Sequence, residues 1–176
     1  MNKKKKKAVK TPVFERPIER IFYEMDRTFI SGNKIAYALC IALAFLGVMG
    51  LVWMIPFPKL DFLVRMNMDT FLNWGSFYIA IIIYLYLRLA PTLSYAMLFT
   101  IGIMSFCIVQ LEYVERDGGP AVWLVSLVLA IIGLIGTTLL AKMESADIPP
   151  AGIWRLLSIG PIWLWSKVFD RFKIKY

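Results

Sequence analysis

The chain has 176 residues, of which 59% are hydrophobic and 18% charged, and its mean hydropathy is +0.65. A water-soluble domain is closer to half apolar and a quarter charged, and a chain of this size buries only about two-thirds of its surface. The surplus of apolar side chains argues against a soluble domain and predicts an integral membrane protein. The absence of histidine excludes every catalytic or metal site that needs an imidazole.

Basic residues are concentrated at the two ends of the chain, which has a net charge of +8. Residues 1–34 contain ten Lys and Arg against four Asp and Glu, and residues 163–176 contain four against one. A lysine run can bind nucleic acid, but this one precedes a long apolar segment, which favours an anchor beside anionic lipid. We therefore expect no nucleic-acid partner, a disordered basic cytoplasmic tail over residues 1–17 and a single membrane domain over residues 18–176.

The first predicted helix, from about Ile18 to Ile30, is amphipathic. Its apolar residues share one face and its charged residues the other: Ile18, Ile21, Phe22, Met25 and Phe29 against Arg20, Glu24 and Arg27. This pattern is typical of an interfacial helix, here on the cytoplasmic leaflet.

Four long apolar runs follow, and we predict that each crosses the membrane. Their approximate ranges are 35–55, 74–89, 92–111 and 121–141. The first has about 21 residues and reaches across roughly 30 Å of hydrocarbon at 1.5 Å per residue. The second is shorter and ends near Arg88. In the last, Gly133 and Gly136 allow a neighbouring helix to approach closely.

The loops indicate the orientation of these runs. The 56–72 and 112–120 loops lack a basic excess, whereas the turn after Arg88 and both termini are basic. Because Lys and Arg stay on the cytoplasmic side, both termini are predicted to be cytoplasmic, in a bacterial inner membrane or the endoplasmic reticulum.

The last apolar stretch, over about residues 153–171, is interrupted by Arg155 and by Gly160-Pro161. We predict an interfacial or re-entrant helix with a proline kink. The expected fold is therefore all-α: a polytopic membrane protein with four transmembrane helices, preceded and followed by amphipathic helices.

No recognisable catalytic motif occurs: the sequence lacks a P-loop, a G-x-S-x-G elbow and a C-x-x-C pair. No cofactor and no metal are expected. The predicted spans carry no acidic residue at their centres, and their mid-membrane polar groups are hydroxyls such as those of Ser126, Thr137 and Thr138. A transporter or channel component is therefore the least favoured class.

The remaining polar residues gather at the predicted cytoplasmic face. The candidate lipid- or partner-binding residues are Asn33, Tyr37, Arg88, Glu144 and Asp147. Arg88 could bind a headgroup or fatty-acyl carboxylate in bidentate fashion. It could equally snorkel, or pair with Glu144 or Asp147 to lock the helices together, and this structural role is favoured because arginines at helix ends commonly snorkel.

Two parts of the sequence follow a known layout. The first is the segment FYEMDRTFISGNKIAY, which contains Asn33, and the second consists of Glu144, Pro149 and Ile159-Gly160-Pro161-Ile162-Trp163. In these features the chain resembles the 2-hydroxy-fatty-acid dioxygenases of fatty-acid α-oxidation, which are small helical membrane proteins. The resemblance implies a membrane-embedded helical fold and, in the family, iron held by histidines. This chain has Thr28, Tyr37 and Ala141 where those histidines would fall, so the resemblance does not carry the activity across.

The leading hypothesis is a non-enzymatic integral membrane protein, an accessory subunit of a membrane complex or a lipid-binding protein. Membrane lipids and other membrane-protein subunits are the expected partners. The alternative is a lipid-modifying enzyme that uses the polar residues of the cytoplasmic face, among them Arg88, Glu144 and Asp147.

Overall fold

The computed structural model describes residues 14, 16–28, 33–58, 65, 73–144 and 150–175. Within these residues the chain is helical and contains no strand, which confirms the predicted all-α class. The helices are α1 Pro17–Thr28, α2 Lys34–Trp53, α3 Trp74–Leu89, α4 Pro91–Arg116, α5 Val122–Glu144 and α6 Pro150–Arg171.

Three of these helices, α2, α4 and α5, are long and apolar enough to cross a membrane. The prediction of four spans is therefore wrong in number. The exception is α3, which is apolar but has only 16 residues. At 1.5 Å per residue it extends about 24 Å, short of the roughly 30 Å hydrocarbon core.

Helix boundaries follow local chemistry. The Asn33 side chain caps α2 by accepting a hydrogen bond from the Ile35 amide at 3.0 Å, and Asn73 caps α3 by accepting one from the Ser76 amide at 2.8 Å. Both are favoured N-cap residues. α4 begins directly after Ala90, with Pro91 in its first turn, where a missing amide hydrogen costs nothing.

The tightest contact in the protein is between α2 and α5, along a small-residue seam. The seam is formed by Cys40, Ala44, Gly47 and Gly50 of α2 against Ser126, Ala130, Gly133 and Gly136 of α5. A Cβ added at Gly47 or Gly133 would overlap the backbone of the other helix, so the two backbones themselves are in contact. This confirms the close approach predicted from Gly133 and Gly136.

The pairing along the seam sets the helix directions. Gly47 faces Ala130, whereas Cys40, seven residues earlier, faces Gly136; α2 and α5 are thus antiparallel. α3 runs back along α2, because Gly75 at its start lies against Trp53 at the end of α2. The first residue of α2 and the last of α5 therefore lie at the same end of the bundle.

At that end α1 and α6 pack on each other and on the bundle. Ile18, Phe22 and Met25 of α1 are at most 5% exposed, so the predicted apolar face of α1 exists but is covered by the protein itself. α6 continues as a helix through Pro161. Its Trp163 is completely buried, which anchors α6 to the core.

Candidate functional site

A groove of about 880 Å³ opens between α2, α4 and α6. Its volume lies within the range of roughly 300–1,000 Å³ that is typical of ligand pockets. The lining residues are Lys34, Ile35, Ala38, Leu39, Ile41, Ala42 and Phe45 from α2, Met97, Thr100 and Met104 from α4, and Pro161, Leu164, Trp165, Lys167, Val168, Arg171 and Phe172 from α6 and the residue after it.

The body of the groove is apolar. Alanines at positions 38 and 42, one helical turn apart, leave the space on the α2 side because their side chains are short. Met97 and Met104 form the opposite wall, and methionine side chains adapt to irregular apolar ligands. The groove can therefore hold a flexible hydrocarbon chain.

One polar contact fixes the wall of the groove. The indole Nε1–H of Trp165 donates a hydrogen bond to Thr100 Oγ1 at 3.1 Å, and this joins α6 to α4. The Trp165 ring also packs edge-on against Phe169, with ring centroids 6.3 Å apart. Since Trp165 is held from two sides, the groove is defined before any ligand enters.

The cationic residues of the lining form a basic rim, which consists of Lys34, Lys167 and Arg171. Lys167 and Arg171 are one turn apart on α6 and so share a face. The Lys167 Nζ donates to Asp26 Oδ2 of α1 at 2.5 Å. Among the described side chains, neither Lys34 nor Arg171 has an acidic partner within ion-pair distance.

Asp26 joins α1 to α6 because its carboxylate accepts hydrogen bonds from two donors on α6. Besides the Lys167 ammonium it accepts a hydrogen bond from Trp163 Nε1 at 3.0 Å. Because both donors come from α6, the carboxylate fixes the position of Lys167 relative to the groove. In the sequence Asp26 lies one turn after Phe22, at the edge of the apolar face of α1, and this position does not show which residue it contacts.

A second ion pair joins the same two helices. Glu24 Oε2 accepts from Arg155 at 2.7 Å, and its other oxygen accepts from Arg20 at 3.0 Å. The hydrogen bonds from Arg155 and Arg20 lower the pKa of Glu24 below its ordinary value of 4.5. α1 is thus held to α6 by charge as well as by its apolar face.

The predicted site residues do not form one constellation among the described side chains. Asn33 serves as the α2 cap, Tyr37 is buried in the core, and Arg88 is exposed and lies over the Tyr84 ring at 5.8 Å. None of these three lines the groove. The Glu144 side chain and all of Asp147 lie outside the described part of the chain, so an ion pair from Arg88 to either stays a prediction.

The hydroxyls considered for an ion pathway have other roles. Thr137 is buried and donates to the Gly133 carbonyl at 2.7 Å, and Thr138 donates to the Ile135 carbonyl at 2.8 Å. Ser126 is buried against Gly50 in the small-residue seam. All three serve helix geometry or packing, and none lines the groove.

Sequence reasoning missed Lys34, Lys167 and Arg171 as site residues, because it counted them only as net charge. At the end of α6, Leu164, Trp165 and Val168 are interleaved with Lys167 and Arg171, which marks these two cations as neighbours of an apolar surface; no pattern in the sequence singles out Lys34.

The described side chains contain no group of three Cys, Asp or Glu that could hold a metal ion. No family model, curated protein or solved structure matches the chain. The resemblance to the fatty-acid dioxygenases therefore stays a prediction.

Proposed function

We propose that this protein is a non-enzymatic integral membrane protein that binds a lipid by its acyl chain in the groove between α2, α4 and α6. The observation that carries the proposal is the groove itself: an apolar cavity of about 880 Å³ in which the described cations lie at the start of α2 and in the last two turns of α6. Kinship with the fatty-acid dioxygenases, as a relative without histidine, is part of the same proposal.

The direction of the helices supports a matching topology. Lys34 begins α2 and Lys142 lies in the last turn of α5, and the antiparallel small-residue seam puts both at one end of the bundle. We assign that end to the cytoplasmic face, since Lys and Arg accumulate there. The groove then opens within the cytoplasmic leaflet, with α1 and the end of α6 beside it. This topology needs the short α3 to return the chain across a locally thinned bilayer.

The lining favours hydrocarbon over a polar metabolite. Among the described lining residues outside the basic rim, the polar side chains are those of Trp165 and Thr100, and the Thr100 hydroxyl already accepts the indole hydrogen bond. A sugar or nucleotide would leave many polar groups without partners, which costs free energy in an apolar cavity. An acyl chain has no such groups.

Filling the groove tests the proposal. In Ala42→Phe a ring enters the space that the short side chain leaves open, and Ala80→Phe adds the same ring to an exposed position of α3 outside the lining. After purification in mild detergent, native mass spectrometry should find lipid retained by the wild type and by Ala80→Phe. Ala42→Phe should retain at most about one-fifth as much, because burying a ring against a formed wall excludes the chain.

Unfolding temperatures of the three proteins, measured in the same detergent, separate loss of the fold from loss of the ligand. If Ala42→Phe folds normally and retains as much lipid as the wild type, the groove is not the binding site and the proposal fails.

A further inference from the structure

We infer that the groove selects a phospholipid with an anionic headgroup, and that the basic rim holds this headgroup at the cytoplasmic leaflet. The inference rests on the proposed function and adds the class of lipid to it. Its motivating observation is that all three charged groups in the lining are cations: Lys34, Lys167 and Arg171.

The charge balance of the rim favours an anion. Asp26 neutralises Lys167 in part through the bond at 2.5 Å. Lys34 and Arg171 are exposed and have no acidic partner among the described side chains. Two uncompensated cations beside an apolar cavity suit a ligand with a hydrocarbon chain and a negative end.

The length of the groove matches one leaflet. On α2 the lining begins at Lys34, the first helical residue, and ends at Phe45. Eleven residues at 1.5 Å each correspond to about 17 Å, close to half of the roughly 30 Å hydrocarbon core. A lipid whose chain reaches Phe45 near the mid-plane therefore has its headgroup at the level of Lys34.

Asp26 orients the third cation. Because the carboxylate also accepts the Trp163 indole hydrogen bond at 3.0 Å, it is fixed to α6, and Lys167 is fixed with it. Lys167 therefore acts at a set position on the rim, whereas Lys34 and Arg171 are free to adjust to the headgroup. A phosphate group offers several acceptor oxygens for such a mixed set of donors.

The test compares two lipids with the same acyl chains, one with an anionic and one with a zwitterionic headgroup. The protein is equilibrated with mixed micelles that contain equal amounts of palmitoyl-oleoyl phosphatidylglycerol and palmitoyl-oleoyl phosphatidylcholine, and native mass spectrometry counts what each variant retains. One cation beside an anionic lipid is worth roughly a fivefold preference. The wild type should therefore retain at least fivefold more phosphatidylglycerol, and Lys34→Gln/Arg171→Gln should retain the two lipids almost equally.

The matched control removes the same number of charges elsewhere. Lys142 and Lys175 are exposed and lie outside the groove lining, so Lys142→Gln/Lys175→Gln should keep the wild-type preference. If the control loses the preference as fully as the rim variant, net charge and not the rim attracts the lipid, and the inference is overturned. Equal retention of both lipids by the wild type also overturns it.

The two proposals fail in different ways. Loss of lipid in Ala42→Phe, together with an unchanged preference in the rim variant, leaves acyl-chain binding intact and refutes only the headgroup assignment. Unchanged retention in Ala42→Phe refutes the groove itself. With oleate added to the micelles, retention of the free fatty acid in place of phosphatidylglycerol would show that the rim binds a carboxylate, and the phospholipid assignment would be wrong.

Discussion

The small-residue seam predicts a large effect from a single methyl group. In Gly47→Ala the new Cβ would lie 2.6 Å from the Ser126 carbonyl oxygen and 2.7 Å from Ala130 Cα, whereas ordinary contacts begin at about 3.4 Å. The Ala130 backbone nitrogen lies closer still, so the two helices must move apart by about 1 Å at this level. Overpacking of this kind costs about 1–3 kcal/mol, and alanine returns up to about 1 kcal/mol of helix propensity. The expected net loss of unfolding free energy is about 1–2 kcal/mol.

The measurement is reversible unfolding in detergent, followed by loss of helical circular dichroism. Gly102→Ala provides the matched control, because Gly102 is also helical, on α4, and a Cβ there meets nothing within 4 Å. This control should be neutral or more stable than the wild type by up to about 1 kcal/mol, from helix propensity alone.

The comparison of the two variants decides the question. If Gly47→Ala is as stable as Gly102→Ala, the α2 and α5 backbones are not in contact, and the antiparallel pairing inferred from the seam is wrong. Because both changes are Gly to Ala within a helix, a difference between them cannot come from propensity.

Two further predictions concern the attachment of α1 to α6. Asp26→Asn removes the ion pair with Lys167, and because both side chains are roughly one-third exposed, the loss of unfolding free energy should be only about 1 kcal/mol. The control Asp170→Asn, at an exposed position of α6, should change the unfolding free energy little. An equal effect of the two substitutions would contradict the contact between Asp26 and Lys167. Since Arg155 lowers the pKa of Glu24, this carboxylate stabilises the docked helix fully above pH 4.5 and loses that contribution as the pH falls through its lowered pKa. The hydrogen-exchange protection factors of α1, which are corrected for the intrinsic pH dependence of amide exchange, should therefore fall in acid. The fall should be smaller in Glu24→Gln, and an equal fall in that variant would refute the role of Glu24.

The sequence was sufficient for the helical class and for most helix positions, because apolar runs are local signals. The apolar face predicted for α1, with Ile18, Phe22 and Met25, is the one that the structure buries, whereas Asn33, predicted as a binding residue, caps α2. The predicted number of spans was wrong because α3 is apolar enough to be taken for a transmembrane helix, although it has only 16 residues.

The groove was not predictable, for a different physical reason. The groove brings together residues as far apart in the sequence as Lys34 and Arg171. The periodicity within one helix does not show which distant helix will pack beside that helix. The partner of Asp26 was hidden in the same way: the carboxylate lies 141 residues from Lys167. By contrast, the candidate residues were chosen from the sequence because they lie near the ends of predicted spans. That criterion gives the depth of a residue in the membrane but does not show which helices lie beside it.

The seam also has a consequence for biogenesis. Gly47 leaves the ribosome 83 residues before Ala130, its counterpart, an interval of roughly 4–17 s at the usual rates of chain elongation. Throughout that interval the glycine-containing surface of α2 lacks α5, the helix that covers it in the folded protein. Nascent chains that stop before α5 would keep this surface without its partner helix.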